Sequence, residues 1–242
     1  MNFKKHLIEW NQEKITRLWD YYAETAPHFD SYFSKVFGKG ILKRSGLPLM
    51  QSFEVIDFGC GPGFIWEHLH EIKAKWNYTA LDSSRESIRQ VEDKAKGCSN
   101  FSGAFLVDRF PGPFPGEKFD VALLIEVVEH LKDEELDAMF REISRITKHG
   151  GYLLITTPND EDLSRSTKFC PDCGSIFHEW QHVRSWSVPS LAKQVKRYGF
   201  SLVKAKTMNF SASTPATRMF WFLSKIIRRK TDPHMMMLFR KN

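Results

Sequence analysis

The sequence predicts an α/β fold built on a doubly wound, mostly parallel β-sheet. From Phe53 onward, short apolar runs alternate with amphipathic segments, which is the pattern of strands and helices in such a sheet. The apolar run FEVIDF leads directly into the glycine-rich stretch GCGPG (59–63), and a second run, YTALD, ends in Asp82. A length of 242 residues fits one domain, 1–242, with modest insertions.

Composition excludes several classes of protein. The sequence has no apolar run of about 20 residues and no signal-peptide pattern at its start, so a cytoplasmic location is expected. Four cysteines are too few for a disulfide scaffold. The net charge of +6 includes the basic run KIIRRK (225–230), but no basic stripe is interleaved with aromatic residues, so nucleic acid is not the favoured partner.

The glycine-rich stretch predicts a nucleoside ligand without phosphate groups. Glycines allow a sharp turn and a close approach of the ligand to the backbone. Phe64 occupies the third glycine position of the dinucleotide pattern G-x-G-x-x-G, and Pro62 removes one N–H donor. Asp57 would repel phosphate and attract a cation, whereas Asp82 stands where an acid accepts ribose hydroxyls.

The remaining elements follow in order along the chain. After the glycine loop, FIWEHLHEIKAKW is predicted to be a helix with apolar residues through Trp76, and Ser83 with Glu86 forms a capping box for the next helix. AFLV and FDVALLI are predicted strands. The helix DEELDAMFREISRITKHGG is expected to end at Gly150 and Gly151, and it is followed by the strand YLLITTPN, the helix SVPSLAKQVKRYGF and the strands SLVKAKTMNF and HMMMLFRKN.

The motifs VIDFGCGPG, ALDSS and FDVALLIEVVEHL together resemble those of class I methyltransferases that use S-adenosyl-L-methionine. Among these, the chain most resembles the small-molecule type found in ubiquinone and menaquinone biosynthesis, over roughly residues 53–158. The resemblance implies a seven-stranded Rossmann-like methyltransferase sheet that ends in an antiparallel C-terminal hairpin. It also implies transfer of a methyl group to a small or lipid-like acceptor, with oxygen as the expected target atom.

The resemblance also implies roles for individual residues. Glycines of the loop would line the methionine moiety, Asp57 would face it through the loop or water, and Asp82 would hold the ribose. Asp108 would accept from the adenine amino group, although a turn-capping role in its proline-rich loop is the alternative. The full set of expected cofactor-binding residues is Asp57, Gly59, Cys60, Gly61, Gly63, Asp82, Ser83, Asp108, Arg109 and Glu126.

His130 is the expected catalytic residue. It follows Glu126 by four residues at the end of a predicted strand, where ligands of open α/β sheets gather. A histidine there can take a proton from a hydroxyl, phenol or amine acceptor, and packing against Leu131 is the alternative. The segment IEVVEH lacks the Asn/Asp-Pro-Pro-aromatic pattern of enzymes that methylate bases or protein glutamine, which favours a small acceptor.

The inserted loop 159–187 carries two cysteines and two histidines within thirteen residues. The spacing C-x2-C-x4-H-x3-H of Cys170, Cys173, His178 and His182 resembles a compact zinc knuckle and predicts one structural zinc ion with four protein ligands. Such a closed site would order the loop and take no part in catalysis. Two alternatives remain open: the histidines face the acceptor as bases, or they are surface residues.

Two further segments are expected to shape the acceptor pocket. Residues 1–48 form a predicted N-terminal helical cover with an aromatic stripe in RLWDYYAETAPHFDSYF. The insert 211–232 between the last two strands contains an amphipathic segment, 216–230, that is predicted either to contact a membrane surface or to close over the pocket. The rival functions are a nucleic-acid methyltransferase that uses the knuckle and the basic tail, and a noncatalytic cofactor-binding or zinc-knuckle module.

Overall fold

The computed structural model describes residues 4–107, 109–212, 215–228 and 231–242. The strands are β1 (His6–Leu7), β2 (Phe53–Phe58), β3 (Trp76–Asp82), β4 (Phe101–Leu106), β5 (Phe119–Ile125), β6 (Thr147–Pro158), β7 (Thr167–Phe169), β8 (Ser175–His178), β9 (Phe200–Met208) and β10 (His234–Lys241). The helices are α1 (Gln12–Glu24), α2 (His28–Ser31), α3 (Phe33–Ser45), α4 (Phe64–Glu71), α5 (Arg85–Ala95), α6 (Asp133–Ile146), α7 (Val188–Lys196) and α8 (Pro215–Arg228).

Seven strands form the main sheet in the order β4-β3-β2-β5-β6-β10-β9. Strands β2 to β6 are mutually parallel, whereas β10 runs antiparallel to both β6 and β9. The predicted fold class is therefore confirmed, including the antiparallel C-terminal hairpin. The chain reverses its direction of travel across the sheet between β2 and β5, and ligands of open α/β sheets bind in the crevice at such a switch point.

Both faces of the sheet are covered by helices, which explains why its central strands are apolar on both sides. Helices α3, α4 and α5 pack on one face through buried residues such as Leu42, Trp66 and Val91. Helices α6 and α7 pack on the other face through residues such as Phe140 and Leu191. The site therefore stands on a rigid, doubly covered sheet.

The segment 159–187 forms a small second sheet in the order β1-β8-β7. Strands β7 and β8 are an antiparallel hairpin, and the N-terminal strand β1 adds to β8 in parallel with His6 opposite Ser175. The insert is thereby joined to the N-terminal segment. Among the helices that the structure describes, none has the length and apolarity needed to cross a membrane.

Three helix boundaries differ from the predicted ones. Helix α4 stops at Glu71, because Lys73 takes a left-handed conformation with φ of 53° and Trp76 already belongs to β3. Ser84, not Ser83, caps α5 by accepting from the Ser87 N–H. Helix α6 ends at Ile146 instead of Gly150, since β6 begins at Thr147.

The aromatic N-terminal segment is also more broken than the sequence predicts. The single predicted helix is divided between α1 and α2, because Pro27 lacks the N–H that a continuous helix would use. Helix α1 ends at Glu24 and is capped at its start by the side chain of Asn11, which accepts from the Lys14 N–H. This break separates the aromatic residues Trp19 and Phe29 onto different helices.

Candidate functional site

A cavity of about 1350 Å³ opens at the C-terminal ends of β2, β3, β5 and β6. Its floor contains Gly59 and Gly61 after β2, Asp82 at the end of β3, and Glu126 after β5. The crevice at the switch point is thus the place where the predicted motifs converge.

Asp82 ties the glycine loop to the end of β3. Its Oδ2 accepts from the Gly61 N–H at 2.8 Å, and its Oδ1 accepts from the Ser84 N–H at 2.8 Å. Burial raises the pKa of Asp82, although these N–H donors favour the ionised form. Gly61 has a φ of 52°, and a Cβ there would lie 3.2 Å from Cε1 of Tyr32. The loop is therefore held open toward the cavity, and the Tyr32 ring lies close to Gly61.

The expected cofactor residues divide into two layers. Those that line the cavity are Gly59, Gly61, Asp82, Ser83, Arg109 and Glu126. Asp57, Cys60 and Gly63 do not line it, and Asp108 lies outside the described residues. The cofactor roles of Asp57, Cys60, Gly63 and Asp108 stay predictions, and the first three form the layer that does not line the cavity.

Packing and burial explain that lower layer. Asp57 is fully buried in β2, where the Tyr78 hydroxyl donates to its Oδ2 at 2.5 Å. Burial raises the pKa of Asp57 to about 7. Gly63 caps α4 with a φ of 84°, and a Cβ there would lie 2.5 Å from Cγ2 of Val91. Glycine is required at position 63 because a side chain there would clash with Val91, where α4 packs against α5.

Two carboxyl groups follow β5, of which Glu126 is half-buried and Glu129 is buried. Glu126 has a φ of 55°, and its Oε1 has no hydrogen-bond partner among the described residues. Burial raises its pKa to about 8, and the charge of Glu161 adds to the shift. Glu129 accepts from Oγ1 of Thr157 at 2.9 Å, and burial raises its pKa as well. A strained backbone at Glu126 is typical of functional sites.

His130 lies one turn further along, with a fixed tautomer. Its Nε2 lies 3.1 Å from the Glu126 carbonyl oxygen, which can only accept, so Nε2 carries the proton. Nδ1 is then unprotonated, and it has no hydrogen-bond partner among the described residues. Burial, followed by the proximity of His182, lowers the pKa of His130 to about 3. The ring is neutral at physiological pH and is a weak general base.

The structure does not bring the four predicted zinc ligands together. Cys170 and Cys173 lie in the turn of the β7-β8 hairpin, whereas His178 ends β8, three residues beyond Ser175. At about 3.3 Å per strand residue, that separation is roughly 10 Å. His182 contacts Glu161 instead, with Nδ1 at 2.6 Å from Oε2. The predicted four-ligand zinc site is therefore not supported as a single cluster in this structure.

Two other groups have ligand-type atoms within 4.8 Å of one another in the described part of the chain: Glu129, His130 and His182, and Glu161, His178 and His182. Hydrogen bonds commit some of their imidazole nitrogens. His178 Nδ1 accepts from the N–H groups of Trp180 and His182, so its Nε2 carries a proton. His130 Nε2, 3.9 Å from Glu129, donates to the Glu126 carbonyl. His130 Nδ1 and Glu129 Oε1 in the first group have no hydrogen-bond partner among the described residues.

Sequence reasoning missed the residues that connect the insert to the site. Gln181 is buried with a φ of 59°, and its Nε2 donates to the His130 carbonyl at 3.0 Å. Its Oε1 accepts from Nε1 of Trp19 at 3.1 Å. Glu161 and Tyr32 also line the cavity. The aromatic stripe was the one available signal for this wall, because contacts between distant segments leave no local pattern in the sequence.

The cavity lining carries more negative than positive groups. Seven carboxyl side chains line it, against two arginines: Asp82, Glu126, Glu134, Glu135, Asp160, Glu161 and Asp162, with Arg109 and Arg165. Such a lining attracts a cationic ligand and repels phosphate.

Comparison with known families and curated proteins gives consistent matches. The family described as "Methyltransferase domain" matches residues 3–205. The ubiquinone biosynthesis O-methyltransferase of Pelagibacter ubique is 27% identical over 169 residues, covering 65% of this chain and 62% of that protein. The chain spans less than two thirds of the first curated relatives, at 37%, 62% and 45% of their lengths.

Solved structures show the same fold. A chain from the complex of the Haloferax volcanii Trm112 methyltransferase activator with a methyltransferase aligns with a TM-score of 0.68 at 18% identity, covering 92% of this chain and 97% of that one. A SAM-dependent methyltransferase from Archaeoglobus fulgidus aligns with a TM-score of 0.61 at 19% identity, covering 88% and 98%.

Proposed function

This chain belongs to the methyltransferase-domain family, and we propose that it transfers the methyl group of S-adenosyl-L-methionine to a small or lipid-like acceptor, at oxygen. The observation that carries the proposal is the glycine loop at Gly59 and Gly61, which Asp82 holds open inside a large, acid-lined cavity. A sulfonium cation without phosphate suits such a lining. A volume of about 1350 Å³ accommodates a nucleoside donor together with an acceptor.

The residues present fit this cofactor. The glycine loop is a cradle that a Cβ would partly fill at Gly61, and Asp82 retains lone pairs for ribose hydroxyls beside its two backbone donors. Ser83 and Arg109 line the same part of the cavity and are proposed to contact the nucleoside. Asp57 supports the loop from beneath through its hydrogen bond with Tyr78.

The bound donor supplies an activated methyl group, so the chain mainly has to align the acceptor and manage one proton. Glu126 lies at the strand end with an unpaired Oε1, where it can hold a cationic group or a hydroxyl. His130 is proposed to act as a neutral ring whose Nδ1 accepts a hydrogen bond from the acceptor. The low pKa of His130, about 3, makes positioning a better role for it than proton removal.

The acceptor side of the cavity favours an apolar molecule with few charges. Trp19, Tyr32 and Trp180 line it together with His130. The acidic lining disfavours the phosphates of a nucleic acid. O-methyltransferases of ubiquinone biosynthesis are among the curated relatives, which supports oxygen as the target atom.

Helix α8 supports a lipid-like acceptor and peripheral contact with a membrane. Phe220 and Phe222 are exposed by 71% and 58%. The α8 sequence contains arginine and lysine residues and no acidic residue, a composition that suits an anionic membrane surface. Trp221 lines the cavity, so the exposed face of α8 lies next to it.

Two measurements test the proposal. Calorimetry with S-adenosyl-L-homocysteine is expected to show micromolar-range binding, whereas NAD is expected not to bind. Incubation of the protein with isotopically labelled methyl donor and a panel of phenols, carboxylic acids and amines is expected to label the phenols. Absence of donor binding would refute the function, and exclusive labelling of amines would refute oxygen as the target.

A further inference from the structure

We propose that Glu161 and His182 form a proton-accepting pair at the acceptor end of the cavity, in which His182 Nε2 removes the proton of the acceptor hydroxyl. This inference rests on the proposed function, since it assigns a catalytic residue to the same site. Both side chains line the cavity, and they reach it from the insert 159–187.

The hydrogen bond with Glu161 fixes the tautomer of His182. Its Nδ1 lies 2.6 Å from Oε2 of Glu161, and a carboxylate only accepts hydrogen bonds, so Nδ1 donates. In the neutral ring, Nε2 then has the free lone pair. Burial of Glu161 opposes ionisation, but the hydrogen bonds and charges of His178 and His182 outweigh it and lower the pKa of Glu161 to about 2. The carboxylate is therefore ionised at neutral pH.

His178 holds the Glu161 carboxylate in place. His178 Nδ1 accepts from the backbone N–H groups of Trp180 and His182, both at 3.3 Å. Its Nε2 consequently carries the proton and lies 3.5 Å from Oε1 of Glu161. The rings of His178 and His182 stack at 4.4 Å. Each oxygen of Glu161 thus faces one imidazole, and His182 is the histidine of the two that lines the cavity.

The backbone on both sides of His182 is firmly fixed. Val183 N–H donates to the Glu129 carbonyl at 2.9 Å, and Gln181 adopts its left-handed conformation immediately before His182. Backbone strain of this kind persists where the surrounding structure enforces it, often at functional sites. The His182 ring is placed 4.9 Å from that of His130, centroid to centroid. The two histidines therefore face the same region of the cavity.

The two rings have different electrostatic partners. Nδ1 of His182 faces an ionised carboxylate, whereas Nε2 of His130 faces only a carbonyl oxygen. The ionisable groups around the pair come from three segments, namely Glu126, Glu129 and His130 after β5, His178 in β8 and His234 in β10.

The proposed step combines removal of the acceptor proton with transfer of the methyl group. The acceptor O–H bond breaks, and its proton moves to His182 Nε2. The oxygen electron pair forms the new bond to the methyl carbon, while the electron pair of the sulfur–carbon bond returns to sulfur. The imidazolium is neutralised by Glu161 until the proton passes to solvent. This arrangement follows the general logic of a histidine base oriented by a carboxylate.

The test begins with nitrogen-15 NMR of the full-length protein labelled at histidine, without any ligand. We expect the His182 signals of an Nδ1–H tautomer, and we expect Glu161→Gln to replace them with averaged signals from both tautomers. His149→Gln is the matched control, because His149 is an exposed histidine in β6. A spectrum in which Nε2 of His182 carries the proton would overturn the proposal.

Kinetics complete the test, with phenol as the probe acceptor and labelled methyl donor. His182→Gln is expected to lower kcat at least 100-fold with donor affinity unchanged, while His149→Gln keeps the wild-type rate. Undiminished phenol methylation by His182→Gln would overturn the proposal, as would stoichiometric binding of added Zn²⁺ or Mn²⁺ that requires both Glu161 and His182. Failure of the proposed function would appear separately, as loss of S-adenosyl-L-homocysteine binding by the wild-type protein.

Discussion

Among single residues, Asp82 joins the end of β3 to the glycine loop, bonding Gly61 21 positions earlier. Each of its oxygens accepts from one backbone N–H, on Gly61 and Ser84. The same carboxylate faces the cavity, so it both holds the glycine loop and presents an acceptor to a ligand. This double role explains why an acid is required at the end of β3.

Replacement of Asp82 is expected to weaken cofactor binding. Asp82→Ala removes a charged hydrogen-bond acceptor, so we expect a loss of about 1 to 3 kcal/mol, or roughly 10- to 100-fold in affinity for S-adenosyl-L-homocysteine. Asp82→Asn keeps one carbonyl oxygen and should lose less. Asp93→Asn, on the exposed side of α5, is the control. Calorimetry measures all three, and wild-type affinity in Asp82→Ala would contradict the ribose assignment.

Among the elements, a buried amide in the insert, that of Gln181, links it to the rest of the fold. Gln181 bridges α1 and the loop after β5, because its side chain bonds both Trp19 Nε1 and the His130 carbonyl. The insert therefore depends on the rest of the fold for its position. Its cysteine turn, at the far end of the β7-β8 hairpin, has no part in this connection.

Gln181→Ala is expected to destabilise the protein by about 2 kcal/mol, because it leaves a buried N–H and a buried carbonyl without partners. The same change should increase proteolytic cleavage within 159–187, which would report local loosening of the insert. Gln51→Ala, at an exposed turn, is the matched control. Chemical denaturation gives the free energies of unfolding, and equal values for the two variants would show that the bridge contributes nothing.

Helix α8 is expected to contribute to binding at a membrane surface. Trp221 is anchored by donation from its Nε1 to Asp232 Oδ1 at 2.7 Å, while Phe220 and Phe222 are exposed. Phe220→Ser combined with Phe222→Ser is expected to weaken binding to phosphatidylglycerol vesicles about 10-fold or more, since each phenylalanine contributes roughly 1.5 to 3 kcal/mol when buried. Co-sedimentation with vesicles measures this.

The control for that experiment is Val203→Ser, which removes an apolar side chain that is 55% exposed on β9. It should bind vesicles as the wild type does. Binding to anionic vesicles should also decrease with added salt, because the electrostatic part of the attraction is screened. Equal binding by the double variant and the wild type would locate any membrane contact elsewhere.

At the scale of the whole molecule, burial of ionisable groups connects the site to the stability of the fold. Burial raises the pKa of Asp57 to about 7 and that of Glu126 to about 8, whereas it lowers the pKa of His130 to about 3 and that of His234 to about 4. In the unfolded chain, the carboxyls titrate near 4 and the histidines near 6.5.

The sign of the pH dependence follows from these shifts. Near pH 6.5, the histidines are neutral in the folded protein but half protonated in the unfolded chain, so together they add about 0.8 kcal/mol of stability as the pH rises to 8.5. The two carboxyls still hold protons in the folded protein that the unfolded chain has released, so stability decreases as pH rises through their folded pKa values. For these four groups together, we expect the free energy of unfolding to fall by about 2 kcal/mol between pH 6.5 and 8.5.

Denaturation at several pH values checks this expectation. Asp57→Asn should flatten the curve by about 1 kcal/mol, because the amide does not ionise and can still accept from Tyr78. The exposed Asp93→Asn should leave the slope unchanged. A wild-type curve without a decline above pH 6.5 would show that these carboxyls titrate normally in the folded protein.

The main sheet and the cofactor-binding part of the candidate site could be predicted from the sequence. Strand periodicity, the glycine loop and an acid at a fixed distance are local patterns, because each strand and turn dictates its residues through its own backbone geometry. The order of β2, β3 and β5 along the chain was therefore enough to bring Gly59, Gly61 and Asp82 to one edge of the sheet.

The residues on the acceptor side of the candidate site became apparent only from the tertiary structure. The spacing of Cys170, Cys173, His178 and His182 predicted one metal site, but a β-hairpin separates the cysteines from the histidines. Glu161, missed in the sequence, is the residue that His182 contacts, and Gln181 connects this insert to α1 and the loop after β5. Such contacts join segments far apart in the chain, so their energy depends on packing and burial, for which no local spacing is diagnostic.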